Sequence, residues 1–192
     1  MSDKESNVCY KNQADALDLT VRMLDEGKVL VLPCDTIYGL CAKVGKKTME
    51  ALYALKERDQ RKPFLQLATL EQAERLCEVP GDIKAVWPCQ LTAIMRNRDG
   101  SGKTAIRVPD DPFLQNVLSR LGSPIYSTSV NMSGSASLTN MTDIIYAFNG
   151  KVDLFVVDGE MQGTVPSTLI DCTVRPYRIL RSGGYDATSL IR

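Results

Sequence analysis

Apolar residues recur at helical spacing from Gln13 to Glu26, with Ala16, Leu17, Val21 and Leu24 on one side and Gly27 where a helix end favours glycine. The spacing predicts a helix there. VLVLP, residues 29 to 33, is an unbroken apolar run closed by proline and predicts a buried strand. Helical spacing returns from Thr48 to Glu57, where Met49, Leu52 and Tyr53 set the faces, and Phe64 to Ala68 predicts a further strand. Two short helices follow around Leu70 to Cys77 and Ile83 to Val86, the second halted by Trp87-Pro88. Residues 91 to 95 and 104 to 108 predict strands joined by RNRDGSGK, a polar turn containing glycine. Downstream, helices fit Pro112 to Leu121 and Met141 to Phe148. Strands fit Ile125 to Ser127, Leu154 to Val157, Thr168 to Asp171 and Tyr177 to Leu180.

Helices and short apolar strands therefore alternate, without a repeat period or a low-complexity block, which predicts a layered α/β domain. Several links between strands are too short for a helical crossover, so the expected sheet is mixed, with parallel and antiparallel pairs. A length of 192 residues, 44% of them hydrophobic, suits one domain with a full core.

Charge narrows the list of partners. Twenty-three basic and twenty-three acidic residues cancel, so no whole-molecule field draws the chain to nucleic acid or membrane, and any anion must be held by a local cluster. The six cysteines (Cys9, Cys34, Cys41, Cys77, Cys89, Cys172) have neither zinc-site pairing nor the density of a disulfide scaffold, and read as reduced, mostly buried thiols. The polar start MSDKESNVCYKNQ lacks an apolar signal core, and no run approaches the roughly 18 apolar residues that span a membrane. The expected compartment is the cytoplasm, with no membrane partner. Histidine is absent, which removes Ser-His-Asp and Cys-His catalysis and every histidine-ligated metal site. Phosphate chemistry fits what remains, because positioning and charge neutralisation do most of its work.

Five features could carry such chemistry. GLCAKVGKKT, Gly39 to Thr48, nearly spells a phosphate-binding P-loop, but five residues separate Gly39 from Gly45 where the motif has four, and the lysines are out of register. A strand-to-helix turn with solvated lysines is the better reading. LKERDQRKP, residues 55 to 63, crowds Lys56, Arg58, Arg61 and Lys62 at a helix end. Cations there favour the macrodipole and need no ligand, while an anion site needs a partner element. STSVNMSGSAS offers one, since Ser127, Ser129, Asn131, Ser133 and Ser137 are short polar side chains that cap, turn or face phosphate and sugar oxygens. Arg107 in TAIRVP and Arg181 in ILRSGG end strands and match a carboxylate or phosphate bidentately. Asp35 and Asp171 each end a strand, where a carboxylate caps a turn or helps hold magnesium.

In this order the pieces resemble the YrdC-like threonylcarbamoyl-AMP synthase family, in its short, single-domain form, from about Asp15 to Gly184. The motifs are PCDTIYGL (33 to 40), Lys56-Glu57-Arg58, Lys62-Pro63, Arg107-Val108-Pro109, Ser129-Val130-Asn131, Ser167 to Asp171 and Leu180 to Gly183. The resemblance implies a twisted mixed sheet flanked by helices around a large concave cavity. It also implies formation of L-threonylcarbamoyladenylate and pyrophosphate from L-threonine, bicarbonate and ATP with Mg2+, in threonylcarbamoyladenosine synthesis on tRNA. Carried over by motif, Lys56, Arg58, Lys62, Ser129, Asn131, Ser137 and Arg181 would hold ATP, with Lys56 and Arg58 catalytic. Thr36, Arg107, Ser127 and Ser167 would surround threonine, and no side chain would be a dedicated metal ligand. Downstream tRNA-modification proteins are the implied partners, with weak contact to tRNA itself. The alternative is a non-catalytic relative that binds RNA or a nucleotide. Four positions depart from the family: Cys34 replaces a threonine, Cys89 and Gln90 turn Trp-Pro-Gly-Pro into Trp87-Pro88-Cys89-Gln90, and Leu67 stands where some members have a histidine near the threonine side chain.

Overall fold

The computed structural model describes residues 6–132, 135–160 and 165–191. Ten strands form one sheet: β1 (Asn7–Tyr10), β2 (Leu30–Cys34), β3 (Ile37–Lys43), β4 (Leu65–Leu67), β5 (Leu91–Arg96), β6 (Lys103–Arg107), β7 (Ile125–Ser129), β8 (Leu154–Val157), β9 (Thr168–Asp171) and β10 (Arg178–Arg181). Their spatial order is β1-β8-β2-β3-β7-β4-β6-β5-β9-β10. Pairs β1/β8, β2/β8, β4/β6 and β5/β9 are parallel, and the other five are antiparallel. The mixed sheet expected from the short links is the one observed.

The helices are α1 (Ala16–Asp25), α2 (Lys46–Lys56), α3 (Leu70–Leu76), α4 (Gly81–Val86), α5 (Pro112–Leu121) and α6 (Met141–Phe148). Local chemistry sets their ends. Asp111 accepts from the Leu114 amide, Pro112 opens α5, and Gly122 closes it at φ 65°. Thr69 and Gln72 form a reciprocal capping box on α3. Helix α1 starts at Ala16 instead of Gln13, because Gln13 closes a turn by accepting from the amide of Tyr10 through its side chain.

Leu24, Leu30, Leu32, Leu114, Val117 and Leu118 pack α1 and α5 on one side of the sheet, and Tyr38, Leu40, Leu52 and Phe148 pack α2 and α6 on the other. A third cluster around Ile83, Trp87, Leu91, Ala93, Met95 and Ile170 lies under β5, β6 and β9. These three strands thus turn Leu91, Ala93, Met95, Ile106 and Ile170 inward. The alternate residues face the opposite way.

Two strands differ from the sequence reading. Gly39 to Lys43 continue β3, paired with β2 and β7, so only Val44 and Gly45 link strand to helix; the near-P-loop has no cradle at all. Strand β1 lies within the polar start, and pairs in parallel with β8 with Cys9 turned inward. Among the described residues no helix is long and apolar enough to cross a membrane.

Candidate active site

Register explains how distant residues meet. One row across the sheet reads Arg107, Thr92, Leu169, Arg181 on β6, β5, β9 and β10. The next row begins with Ala105 and Ile94. This face, turned away from the third core cluster, floors a cavity of ≈ 350 Å³. Its walls include Thr36, Gly39, Arg58, Phe64, Leu65, Ser127, Ser129, Ser137 and Ser167.

Arg107 is 3% exposed and is fixed before any ligand arrives. Nη1 donates to Thr36 Oγ1 at 2.7 Å and Nη2 to the Cys34 carbonyl at 3.4 Å, while Nε has no partner among the described residues. Asp35 Oδ1 lies 3.0 Å from Nη2 but outside hydrogen-bond geometry, so the two form an ion pair with an unfilled acceptor. Burial raises the Asp35 carboxyl above its ordinary value despite the arginine. Its backbone, at φ 33°, lies in the left-handed region, which aspartate tolerates better than most residues.

Below Arg107 the floor carries thiols and hydroxyls. Cys34 and Cys41 bring their sulfurs to 3.6 Å, and Ser127 Oγ donates to Cys34 Sγ at 3.8 Å. Hydrogen bonding to Cys41 lowers the Cys34 thiol, whereas burial pushes Cys41 well up. Gly39 makes this packing possible: a Cβ there would sit 2.8 Å from Ser127 Oγ and 2.9 Å from Cys34 Sγ. Thr92 and Ser167 share a hydroxyl contact of 2.7 Å, and Arg181 donates to the Ser167 carbonyl through Nε and Nη2. Burial, then Arg107, lowers the Arg181 guanidinium.

The charged stretch at the end of α2 divides its labour. Arg58 lines the cavity, its guanidinium 5.3 Å from the Phe64 ring centre, with Nε donating to the Lys62 carbonyl. Lys56 does not line it. With 1% exposure, its Nζ donates to the Ser129 carbonyl at 2.5 Å and to Asn131 Oδ1 at 2.6 Å, tying α2 to the segment after β7. Ser129 Oγ donates to the same Asn131 oxygen at 2.7 Å. Burial, followed by repulsion from Arg58, lowers Lys56 to about 8.

Of the residues expected at a ligand, Thr36, Arg58, Arg107, Ser127, Ser129, Ser137, Ser167 and Arg181 share the cavity. Lys56 and Asn131 stand behind its wall, and Lys62 is exposed outside it, because the loop before Pro63 turns its side chain to solvent. Leu67 is fully buried in the first core cluster and does not line the cavity, whereas Leu65 does, so the position that carries a histidine in some members offers no ligand contact here. Ser133 lies outside the described residues. Thr92, Ile94, Ala105 and Leu169 line the cavity but are singled out by no motif; the alternation of Leu91, Ala93 and Met95 with Thr92, Ile94 and Arg96 is the signal that marks their face. Asp35 and Asp171 do not form a metal site: Asp35 pairs with Arg107, and Asp171 accepts from the Thr173 amide and hydroxyl. Among the described residues no three carboxylates or thiols gather for a metal.

Fold and site together define an α/β protein with a cavity on one sheet face lined by three arginines and a set of hydroxyls. Residues 22–183 match the Sua5/yciO/yrdC family, described as Telomere recombination, and the chain belongs to that family. It is 30% identical to the threonylcarbamoyl-AMP synthase of Pyrococcus abyssi over 93% of this chain and 57% of that relative. The structure of P. abyssi Sua5 complexed with L-threonine superposes with a TM-score of 0.84 at 26% identity, covering 93% of this chain and 57% of that one. Escherichia coli YciO gives the same TM-score of 0.84 at 25% identity and covers 96% of this chain and 99% of its own. The chain therefore spans little more than half the length of the curated P. abyssi relative.

Proposed function

We propose that this chain is a nucleotidyltransferase that forms L-threonylcarbamoyladenylate and pyrophosphate from L-threonine, bicarbonate and ATP, for threonylcarbamoyladenosine synthesis on tRNA. The observation that carries the reading is the row Arg107-Thr92-Leu169-Arg181 facing Arg58 and the hydroxyls of Ser127, Ser129, Ser137 and Ser167 across one cavity. Similarity to relatives of that name supports it.

Arg107, already braced by Thr36 and Asp35, takes the threonine carboxylate, and the Ser127, Ser167 and Thr36 hydroxyls surround the rest of the amino acid. Arg58 and Arg181 border the triphosphate, with Ser129 and Ser137 on its oxygens. Lys62, exposed beside the mouth, contributes only long-range charge. Threonine nitrogen attacks the bicarbonate carbon, and loss of water leaves a carbamate. A carbamate oxygen then attacks the α-phosphorus, and the α–β bridging oxygen departs with pyrophosphate. No side-chain nucleophile is needed; holding reactants together and neutralising charge on the leaving group supply the catalysis. Magnesium, on this reading, arrives on the ATP phosphates and not in a protein cage, since no carboxylate cluster offers one among the described residues. A cytoplasmic site of action and hand-over to downstream tRNA-modification proteins complete the proposal.

The test is pyrophosphate release with mass analysis of the product. Release should require both threonine and bicarbonate and yield the adenylate mass. Equal release without threonine overturns the assignment.

A further inference from the structure

Among the described residues, the braces on the Arg107 guanidinium all come from the turn between β2 and β3. Cys34 gives its carbonyl, Asp35 its carboxylate and Thr36 its hydroxyl. Local preference does not favour the shape of this turn, because Asp35 at φ 33° occupies the left-handed region, which is costly for an L-residue. Contacts from elsewhere in the chain must hold it. Apart from Arg107, two groups reach Asp35 among the described residues: the Asp110 amide donates to Oδ2 at 3.2 Å, and the Gln90 side chain donates through Nε2 to the main-chain carbonyl at 3.2 Å. Gln90 immediately precedes β5 and is one of the positions that depart from the family. It does not line the cavity. Its own carbonyl accepts from the Thr168 amide, which pins its backbone to β9. The end of its side chain is confined as well: a Cβ built on Gly184, just after β10, would overlap Gln90 Oε1 and sit 3.0 Å from Cδ. Glycine at 184 leaves room for the amide to reach across to Asp35.

We propose that Gln90 is a positioning residue for the amino-acid subsite: confined by Gly184 and bonded to the Asp35 carbonyl, it holds the turn between β2 and β3 in the shape that fixes Arg107. The proposal rests on the reading of Arg107 as the partner of the threonine carboxylate. Contacts run in one line from Gly184 through Gln90 and Asp35 to Arg107. Without the Nε2 donor, Asp35 keeps only the Asp110 amide and the arginine, both on its side chain, and its main chain is free to leave the left-handed conformation. That movement carries the Thr36 hydroxyl away from Arg107 Nη1. A guanidinium that loses a brace aligns less well with a carboxylate, since bidentate pairing depends on the plane of the fork. The loss falls on threonine and not on ATP, because Arg58 is held separately, by the Lys62 carbonyl and the Phe64 ring. One hydrogen bond of this kind corresponds to about 3- to 10-fold in affinity.

The test compares wild type with Gln90→Ala, Gln90→Met, Gly184→Ala and the double variant Gln90→Ala/Gly184→Ala. Threonine affinity is read by calorimetry, and KM for threonine and for ATP from pyrophosphate release. Gln90→Met keeps the length of the side chain and drops the donor, so it should weaken threonine binding about 3- to 10-fold, as Gln90→Ala should, with KM for ATP unchanged. Gly184→Ala displaces the amide without altering Gln90 and should give the same loss. In the double variant the new methyl meets only the Cβ at position 90, at 3.4 Å, so the two losses should not add. Threonine affinity equal to wild type in Gln90→Met overturns the proposal. Losses that add in the double variant do the same, as does a KM for ATP that rises in step with that for threonine. Wild type that binds threonine but releases no pyrophosphate undoes the catalytic reading alone, and the calorimetric losses then uphold the role of Gln90 on their own. Wild type that binds no threonine overturns both.

Discussion

Lys56 offers the sharpest test of how the site is built, because it is a buried cation whose partners are neutral. Its Nζ is held by the Ser129 carbonyl and Asn131 Oδ1, and burial lowers it from 10.5 to about 8. The unfolded chain keeps the lysine protonated through this window while the folded chain releases the proton, so the wild type should gain stability as pH rises from about 8 toward 10.5. At full strength the gap is about 3 kcal/mol, of which about 2 kcal/mol is recovered by pH 9.5. Solvent screening beside an open cavity reduces the expected recovery to about 1–2 kcal/mol. Lys56→Met has no such proton to lose. Urea midpoints at constant m-value, taken at about pH 7 and pH 9.5, should show the wild type gaining that amount relative to Lys56→Met. Thiols and tyrosines titrating in the same range affect both proteins and cancel in the difference. A wild-type-to-variant gap that stays constant across the window would refute a buried, charged Lys56. Pyrophosphate release should also collapse in Lys56→Met, since Ser129 and Asn131 lose the group that fixes them.

Gly39→Ala places a methyl against the Ser127 hydroxyl and the Cys34 thiol, and should cost about 1–3 kcal/mol while raising KM for threonine; a threonine titration and a melt check both. Gly183→Ala meets backbone, the Pro166 carbonyl at 2.1 Å, which cannot rotate away. It should destabilise the fold by about 3 kcal/mol or more in chemical denaturation, and a melting temperature equal to wild type would refute the close approach.

The elements legible in the sequence are those whose ends are set locally. Helix α5 needs only Asp111-Pro112 and Gly122, and α6 only Asn140, whose side chain accepts from the Asp143 amide. Strand β3 was missed for the opposite reason. Five of its seven residues, Tyr38 to Ala42, are buried, so no alternation marks it, and Gly39 and the following lysines imitate a phosphate loop. Strand β1 has a single inward residue, Cys9, and is specified by pairing with β8, more than 140 residues away. No short-range pattern carries that information.

The stretch LKERDQRKP shows the same division within the site. Composition puts four cations together, but the backbone sends them to four different ends. Helix α2 stops at Glu57, left-handed at φ 49°, so Lys56 and Arg58 are separated by a reversal of the chain. Lys56, the last helical residue, reaches the Ser129 carbonyl and Asn131 at the end of β7, whereas Arg58 lines the cavity beside Phe64. Arg61 is bound up with Asp59 at 2.8 Å, and Lys62 faces water. Spacing along the sequence could place all four near a triphosphate. Only the left-handed residue between the first two decides that one braces the site and the other borders it.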